Sequence, residues 1–311
     1  MIEKTVMDQY IQESTLRMNE KSKRQIEVFL TKFFDLKPDV SYNDLTKQDL
    51  IDMFSQLVII SANSFFTYKS KINDFMKWMY EQGYGSEQII RNLSEIQFTD
   101  INRSGFYNTY YFRDYNDLFN TIDEVFSDRG TEFDTFKCAA ILVWFGIKIN
   151  DIPSILKKDL DEYEGTIIHP VTKEKIKLPD NAVYLLSNYR DAETHDSQKF
   201  GGRTVAYVDS QYLFRSYKNA CFTTKQINHI SISANDVAKD FGKVFQWNRI
   251  YLSGLYNRIY QYEQKHGEIG RTNFKVLKQF FIGDDELTIQ RKTDLSRKYE
   301  EYQEFKEYMY S

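Results

Sequence analysis

Residues 141–161 read ILVWFGIKINDIPSILKKDLD. A strongly apolar run, traceable back to Phe133, predicts a helix through Phe145, and Gly146 is the residue type that ends one. A cation follows at Lys148, an acid three residues later at Asp151, and then a short amphipathic turn closing on Leu156-Lys157-Lys158-Asp159-Leu160-Asp161. Near Tyr163 the period changes. Residues 165–178, GTIIHPVTKEKIKL, place a β-branched run, a polar turn and an alternating Ile176/Leu178 pair in order, which predicts a β-hairpin.

Working outward, helices dominate. Upstream, Ile26, Phe29, Leu30, Phe33 and Phe34 recur at helical spacing from Lys21 to Phe34. Thr46 followed by Asp49 looks like a capping box opening a helix to Leu57. A third helix from Ser61 or Ser64 carries Phe65, Tyr68, Ile72, Phe75, Met76 and Met79 before Gly83 and Gly85 stop it, so a four-helix unit is expected. The stretch 98–111, FTDINRSGFYNTYY, loses helical period and marks a boundary, giving expected domains 1–103 and 108–311. Downstream, helices are expected over 113–126, 234–245, 247–266 and 274–281, with a charged, Tyr-rich tail helix over 293–310 and a short strand or turn after Gly201-Gly202. The expected fold is mainly α with a small β-sheet.

Composition narrows the classes. Only 4 Pro and 13 Gly in 311 residues argue against a loop-rich all-β chain or a long disordered linker. No long uncharged apolar run offers a membrane span, and the start MIEKTVMDQYIQES lacks the basic-then-apolar order of a secretory signal. The two cysteines, Cys138 and Cys221, cannot build a disulfide framework and fit a reducing cytoplasm. No phosphate-binding glycine loop, hydrolase elbow or metal-ligand spacing among the four histidines is present, so no cofactor and no metal are expected. With 41 Lys+Arg against 45 Asp+Glu the net charge is -4, so any polyanion partner must be held by local basic faces.

The run 141–161 resembles the signature of the tyrosine recombinase (phage integrase) family, where an apolar helix leads to Gly-hydrophobic-Arg-x-x-Glu and then Leu-x-x-x-Asp-hydrophobic. The hairpin stands where that family carries its catalytic lysine, with Lys173 or Lys175 as candidate. NEKSKRQIEVFLTKFF (19–34) and SANSFFTYKSKINDFMKWMYEQG (61–83) look like two helices of the family's core-binding domain. The resemblance thus covers nearly the whole chain, and implies a helical core-binding domain followed by a tyrosine-recombinase-like catalytic-type domain.

The family pattern breaks at its chemical positions. Lys148 stands where the first Arg belongs, keeping charge but losing the planar fork that grips two phosphate oxygens. In the match to His-x-x-Arg, Gln246-Trp247-Asn248-Arg249, the Arg survives and Gln replaces the proton-transferring His. Asp284 falls where His or Trp is expected, and a carboxylate there repels phosphate. No Tyr lies at the nucleophile's spacing; Tyr299 and Tyr302, further on, are read as packing residues of a docked or swapped tail, with a nucleophile as the alternative.

Simultaneous loss at several positions implies a degenerate, non-cleaving member, similar to the integrase-like master repressors of SPbeta-type phages. The implied function is repression of prophage genes by binding duplex DNA in the bacterial cytoplasm, maintaining lysogeny. The alternatives are an active, divergent recombinase and a helical interaction regulator that does not bind DNA. The expected DNA contacts are Lys21, Ser22, Lys23 and Arg24 at one helix start, Ser61, Asn63, Ser64, Tyr68, Lys69 and Lys71 on another helix, and Lys148, Lys173, Lys175 and Arg249 in the second domain. Further partners are expected through the last helix, which either docks in cis or exchanges with a second copy to form a homodimer, and in a protein or peptide antagonist.

Overall fold

Short polar residues set the helix starts of the first half. The Asn19 side chain accepts from Ser22 N and opens α2, Glu20–Phe34. Thr46 and Asp49 exchange bonds across the start of α3, Lys47–Gln56, and Ser61 and Ser64 do the same for α4, Ala62–Glu81. At the far end of α4, Gly83 takes φ 78°, and the N–H groups of Tyr84 and Gly85 return to the Met79 carbonyl at 2.8 and 3.0 Å.

The computed structural model describes residues 4–14, 19–197, 203–283 and 286–311. The chain divides into two compact units, Met1–Phe106 and Tyr107–Ser311.

Among the described residues, the first unit holds five long helices rather than the expected four. Beyond the three helices placed from the sequence, these include α1, Lys4–Ser14, and α5, Glu87–Glu95. Both bury apolar side chains in the same core: Met7 and Tyr10 from α1, Ile89 and Leu93 from α5. The core is aromatic, with Phe33 and Phe65 each 5.2 Å from the Phe54 ring, and the Tyr10 ring edge-on to Phe75 at 4.9 Å. Arg103 closes the unit. Its guanidinium donates to the carbonyls of Ile59 and Ile60 and lies 4.9 Å from the rings of both Phe98 and Phe106.

The boundary segment, where the apolar period is lost, is nevertheless structured. It forms a 3-10 turn, Phe98–Asp100, and α6, Ser104–Tyr110, with the division between units inside α6. Local side-chain bonds to the backbone, Asp100 to Gln97 N and Asn102 to Ser104 N, start each piece where the apolar pattern is too short to show.

The second unit is built around α8, Asp134–Trp144, which follows α7, Tyr115–Val125. Every residue of α8 except Asp134 and Lys137 is buried. Three short strands, β1 Leu160–Asp161, β2 Thr166–Ile168 and β3 Lys175–Lys177, pair antiparallel with Ile167 opposite Ile176. Then come α9, Asp180–Asp191, and a two-stranded antiparallel ribbon, β4 Thr194–Ser197 with β5 Arg203–Ala206. Gly201 and Gly202 lie outside the described residues.

Four helices complete the unit: α10 Thr224–Ala238, α11 Trp247–His266, α12 Phe274–Phe281 and α13 Ile289–Tyr310. The helix expected over 234–245 begins at Thr224 instead, behind a Thr223/Gln226 capping box, and ends by Gly242 in the left-handed region. The tail helix starts at Ile289, one turn before the expected Thr293, with Thr288 as its cap. α9 was not expected at all.

α11 crosses α8 closely because residue 254 is glycine. A Cβ there would lie 2.0 Å from the Trp144 carbonyl oxygen, and Arg258, one turn on, donates to that carbonyl at 2.9 Å. The architecture is mainly helical with small antiparallel sheets. Cys138 is buried and Cys221 half-buried, both as free thiols. Among the described residues no helix is long and apolar enough to cross a membrane.

Candidate nucleic-acid interface

On α2 the two expected cations that remain free are Lys21 and Arg24, both exposed and without an ion pair. Lys23 instead pairs with Glu20 at 3.0 Å, and the backbone N–H of Ser22 is taken by Asn19. Three residues outside the expected contacts continue the same face. Gln25, Val28 and Lys32 join Lys21 and Arg24 along a shallow groove, and Val28 is 59% exposed. The signal for them was present: positions 21, 24, 28 and 32 recur at helical spacing.

α4 offers less than its sequence suggests. The Ser61 and Ser64 hydroxyls are consumed in their own cap, and Asn63 is exposed. Tyr68 stacks on Phe29 at 4.8 Å, and the Lys71 ammonium lies 5.5 Å from the same ring. Lys69 is not the solvent-facing cation expected. Its ammonium donates to the carbonyls of Ser94 and Ile96 at 2.9 and 2.7 Å, closing the C-terminal end of α5, and burial pushes its pKa down.

In the second unit, Lys148 follows Gly146, which takes φ 102°. The Lys148 side chain is exposed and makes no hydrogen bond or ion pair, while its carbonyl accepts from Asp151 N at 2.8 Å. At the hairpin, Lys173 adopts φ 63° and donates to the Pro170 carbonyl at 2.7 Å. Lys175 pairs with the Glu164 carboxylate, which raises the lysine's pKa, and Lys177 donates to the Glu164 carbonyl. Arg215 is buried on main-chain carbonyls.

Arg249 sits in the first turn of α11, where its guanidinium covers the Tyr111 ring at 5.2 Å and donates to that phenol. Gln246 caps the helix through its backbone only, and its side chain is exposed. Asp284 lies outside the described residues.

The terminal tyrosines gather elsewhere. Tyr302 is fully buried and donates its hydroxyl to Glu263 at 2.7 Å, and burial together with that carboxylate drives the phenol's pKa well up. Lys306 binds the same Glu263 oxygen at 3.0 Å, and Ile269 N binds the other at 3.0 Å. Tyr299 donates to the Ile269 carbonyl at 2.5 Å, and burial raises its pKa. Tyr310 stacks face to face on Tyr260 at 3.8 Å and donates to the Arg113 carbonyl. α13 is thus docked on its own unit.

Glu263 is in the last turn of α11 and Arg249 in the first, about 21 Å apart along the helix axis. The structure therefore separates Arg249 from the hydroxyl of Tyr302, which is tied to Glu263.

No family model matches this chain, and no curated protein does. Among solved structures it is similar to the XerA recombinase at 13% identity, with a TM-score of 0.42, covering 95% of this chain and 98% of that one. It is also similar to a lambda integrase (75–356) dimer bound to a COC' core site at 12% identity, TM-score 0.34, covering 92% and 98%. The integrase from mycobacterium phage Brujita matches at 10% identity, TM-score 0.36, covering 95% and 92%.

Proposed function

We propose that this protein is a sequence-specific duplex-DNA-binding repressor of a prophage, acting in the bacterial cytoplasm, built on a tyrosine-recombinase-like scaffold that does not cut DNA. The observation that carries the reading is the Tyr302 hydroxyl, held by Glu263 at the opposite end of α11 from Arg249. A transesterifying tyrosine must put its oxygen on the phosphate that the arginine binds. Here the phenol is dry and bonded to an anion, while its elevated pKa opposes formation of the attacking phenolate.

Three further substitutions support the absence of cleavage. Lys148 replaces a bidentate donor with a point charge, Gln246 cannot move a proton at neutral pH, and Asp284 adds negative charge. What remains suits binding: Lys21 and Arg24 exposed on one helix of the first unit, and Lys148 exposed in the second. The acidic total charge is compatible with this, since phosphate contact depends on where the cations stand.

The test is a gel shift on phage and host DNA across salt. If roughly six phosphates are neutralised, log K falls with log salt at a slope of about -5. Absence of binding even at low salt would favour a helical regulator whose partner is another protein.

A further inference from the structure

At the base of the β4–β5 ribbon a cavity of about 420 Å3 is lined by Lys157, Arg190, Asp191, Tyr207, Asp209 and Arg215, among others. Its floor is a buried cation. Arg215 is 2% exposed and donates to the carbonyls of Leu213, Arg190 and Ala192 at 3.2, 2.9 and 2.6 Å, with the Tyr207 ring 4.7 Å from its Cζ. All of these partners are neutral, so the charge has no carboxylate in ion-pair contact.

Arg190 and Asp191 satisfy each other through bonds of 2.8 and 2.6 Å, and Glu162 also binds Arg190. The Asp191 carboxylate is thereby spent on Arg190 and makes no ion pair with Lys157 or Arg215. Lys157 is different. Its backbone is pinned to the segment opposite by a 2.8 Å bond to the Gln211 carbonyl and by the neighbouring Leu156–Tyr212 bridge. Its ammonium makes no hydrogen bond and no ion pair. Burial, and after it the charge of Arg215, pushes the Lys157 pKa down, while Asp209 and Asp191 act in the opposite sense.

Two cations without a carboxylate ligand therefore share one cavity. Leaving a buried charge uncompensated is costly, and an oxyanion between them removes that cost. The remaining acids, Glu193 and Asp209, are exposed to solvent at the rim. They disfavour a doubly charged group more than a singly charged one. The volume is within the range of small-molecule pockets, about 300–1,000 Å3.

We propose that this cavity binds the carboxylate of a small organic acid, seated between the Lys157 ammonium and the Arg215 guanidinium. The site stands independently of DNA binding, and no part of it lies in the first unit.

The test uses the full chain, isotope-labelled, titrated with acetate at constant ionic strength and followed by amide chemical shifts. Saturable shifts at Ala192, Tyr207 and Val208 are expected, with inorganic phosphate binding more weakly. Lys157→Met should weaken acetate binding about tenfold, corresponding to loss of one charge-assisted bond. Lys158→Met, at the exposed neighbouring position, should leave it unchanged. Non-saturable shifts, an unaltered affinity in Lys157→Met, or tighter binding of phosphate than of acetate would overturn the assignment. Arg215 is left intact because it holds three carbonyls of the fold.

Discussion

Tyr302 and Glu263 form a buried phenol–carboxylate pair, 2.7 Å apart, that fastens α13 to the last turn of α11. The carboxylate is fully paired: Lys306 and Ile269 N supply its other contacts. Tyr302, one of the two tyrosines held open as an alternative nucleophile, is thus placed as an anchor of the tail.

Tyr302→Phe should cost about 1–3 kcal/mol, because the carboxylate loses one donor in a dry site. Tyr299→Phe, which gives up one bond to a carbonyl, should cost about 0.5–1.5 kcal/mol. Urea denaturation of the two variants should rank them in that order; equal costs would mean that Glu263 is more hydrated than its burial implies.

The cations of the first unit separate into two kinds. Lys69→Glu should destabilise the unit by about 1–3 kcal/mol, since the Ser94 and Ile96 carbonyls lose their donor and face a carboxylate. Lys21→Glu and Arg24→Glu should change stability by no more than about 0.5 kcal/mol, yet weaken DNA binding and make the salt slope shallower by about 1 per lost phosphate contact. Denaturation and gel shifts on the same three variants check both halves.

Gly254→Ala should cost about 3 kcal/mol or more, since the new methyl group meets the Trp144 backbone carbonyl rather than a side chain that could move. A chemical-denaturation midpoint within error of the parent would show that α8 and α11 do not cross as described.

Acid should loosen the first unit through Asp49. Its bonds to Lys37 and to Thr46 hold its pKa at about 2, against the ordinary carboxylate value of 3.8. A depressed pKa adds stability above the unfolded value and loses it as pH falls through the folded one. The thermal midpoint should therefore drop between about pH 4 and pH 2, and Asp49→Asn should show a smaller drop across that window.

Much of the helical pattern was legible because it is local. Thr46/Asp49 and Ser61/Ser64 carry their caps in the sequence, and α11 spans the expected 247–266. α9 escaped because it begins immediately after Pro179, where the hairpin pattern ends, although Ala182, Val183, Leu186 and Tyr189 have helical spacing. α10 was misplaced because its Thr223/Gln226 cap was overlooked in favour of the apolar run leading to Phe245.

Side-chain roles were less legible where partners are distant. Lys69 lies off the apolar stripe of α4, yet its ammonium is spent on carbonyls 25 and 27 residues away. Arg215, a charged residue with no apolar stripe around it to signal burial, is buried on the carbonyls of Arg190 and Ala192, 25 and 23 residues away. Periodicity reports which face a residue occupies on its own helix, and nothing about what the next helix places there.

The most direct measurement is a covalent-trapping assay on a duplex that the chain demonstrably retards in a native gel. After denaturation and resolution of protein from DNA, the account predicts no protein–DNA adduct in the parent chain, with binding intact. A phosphotyrosyl adduct that forms in the parent and disappears in Tyr299→Phe or Tyr302→Phe would contradict it.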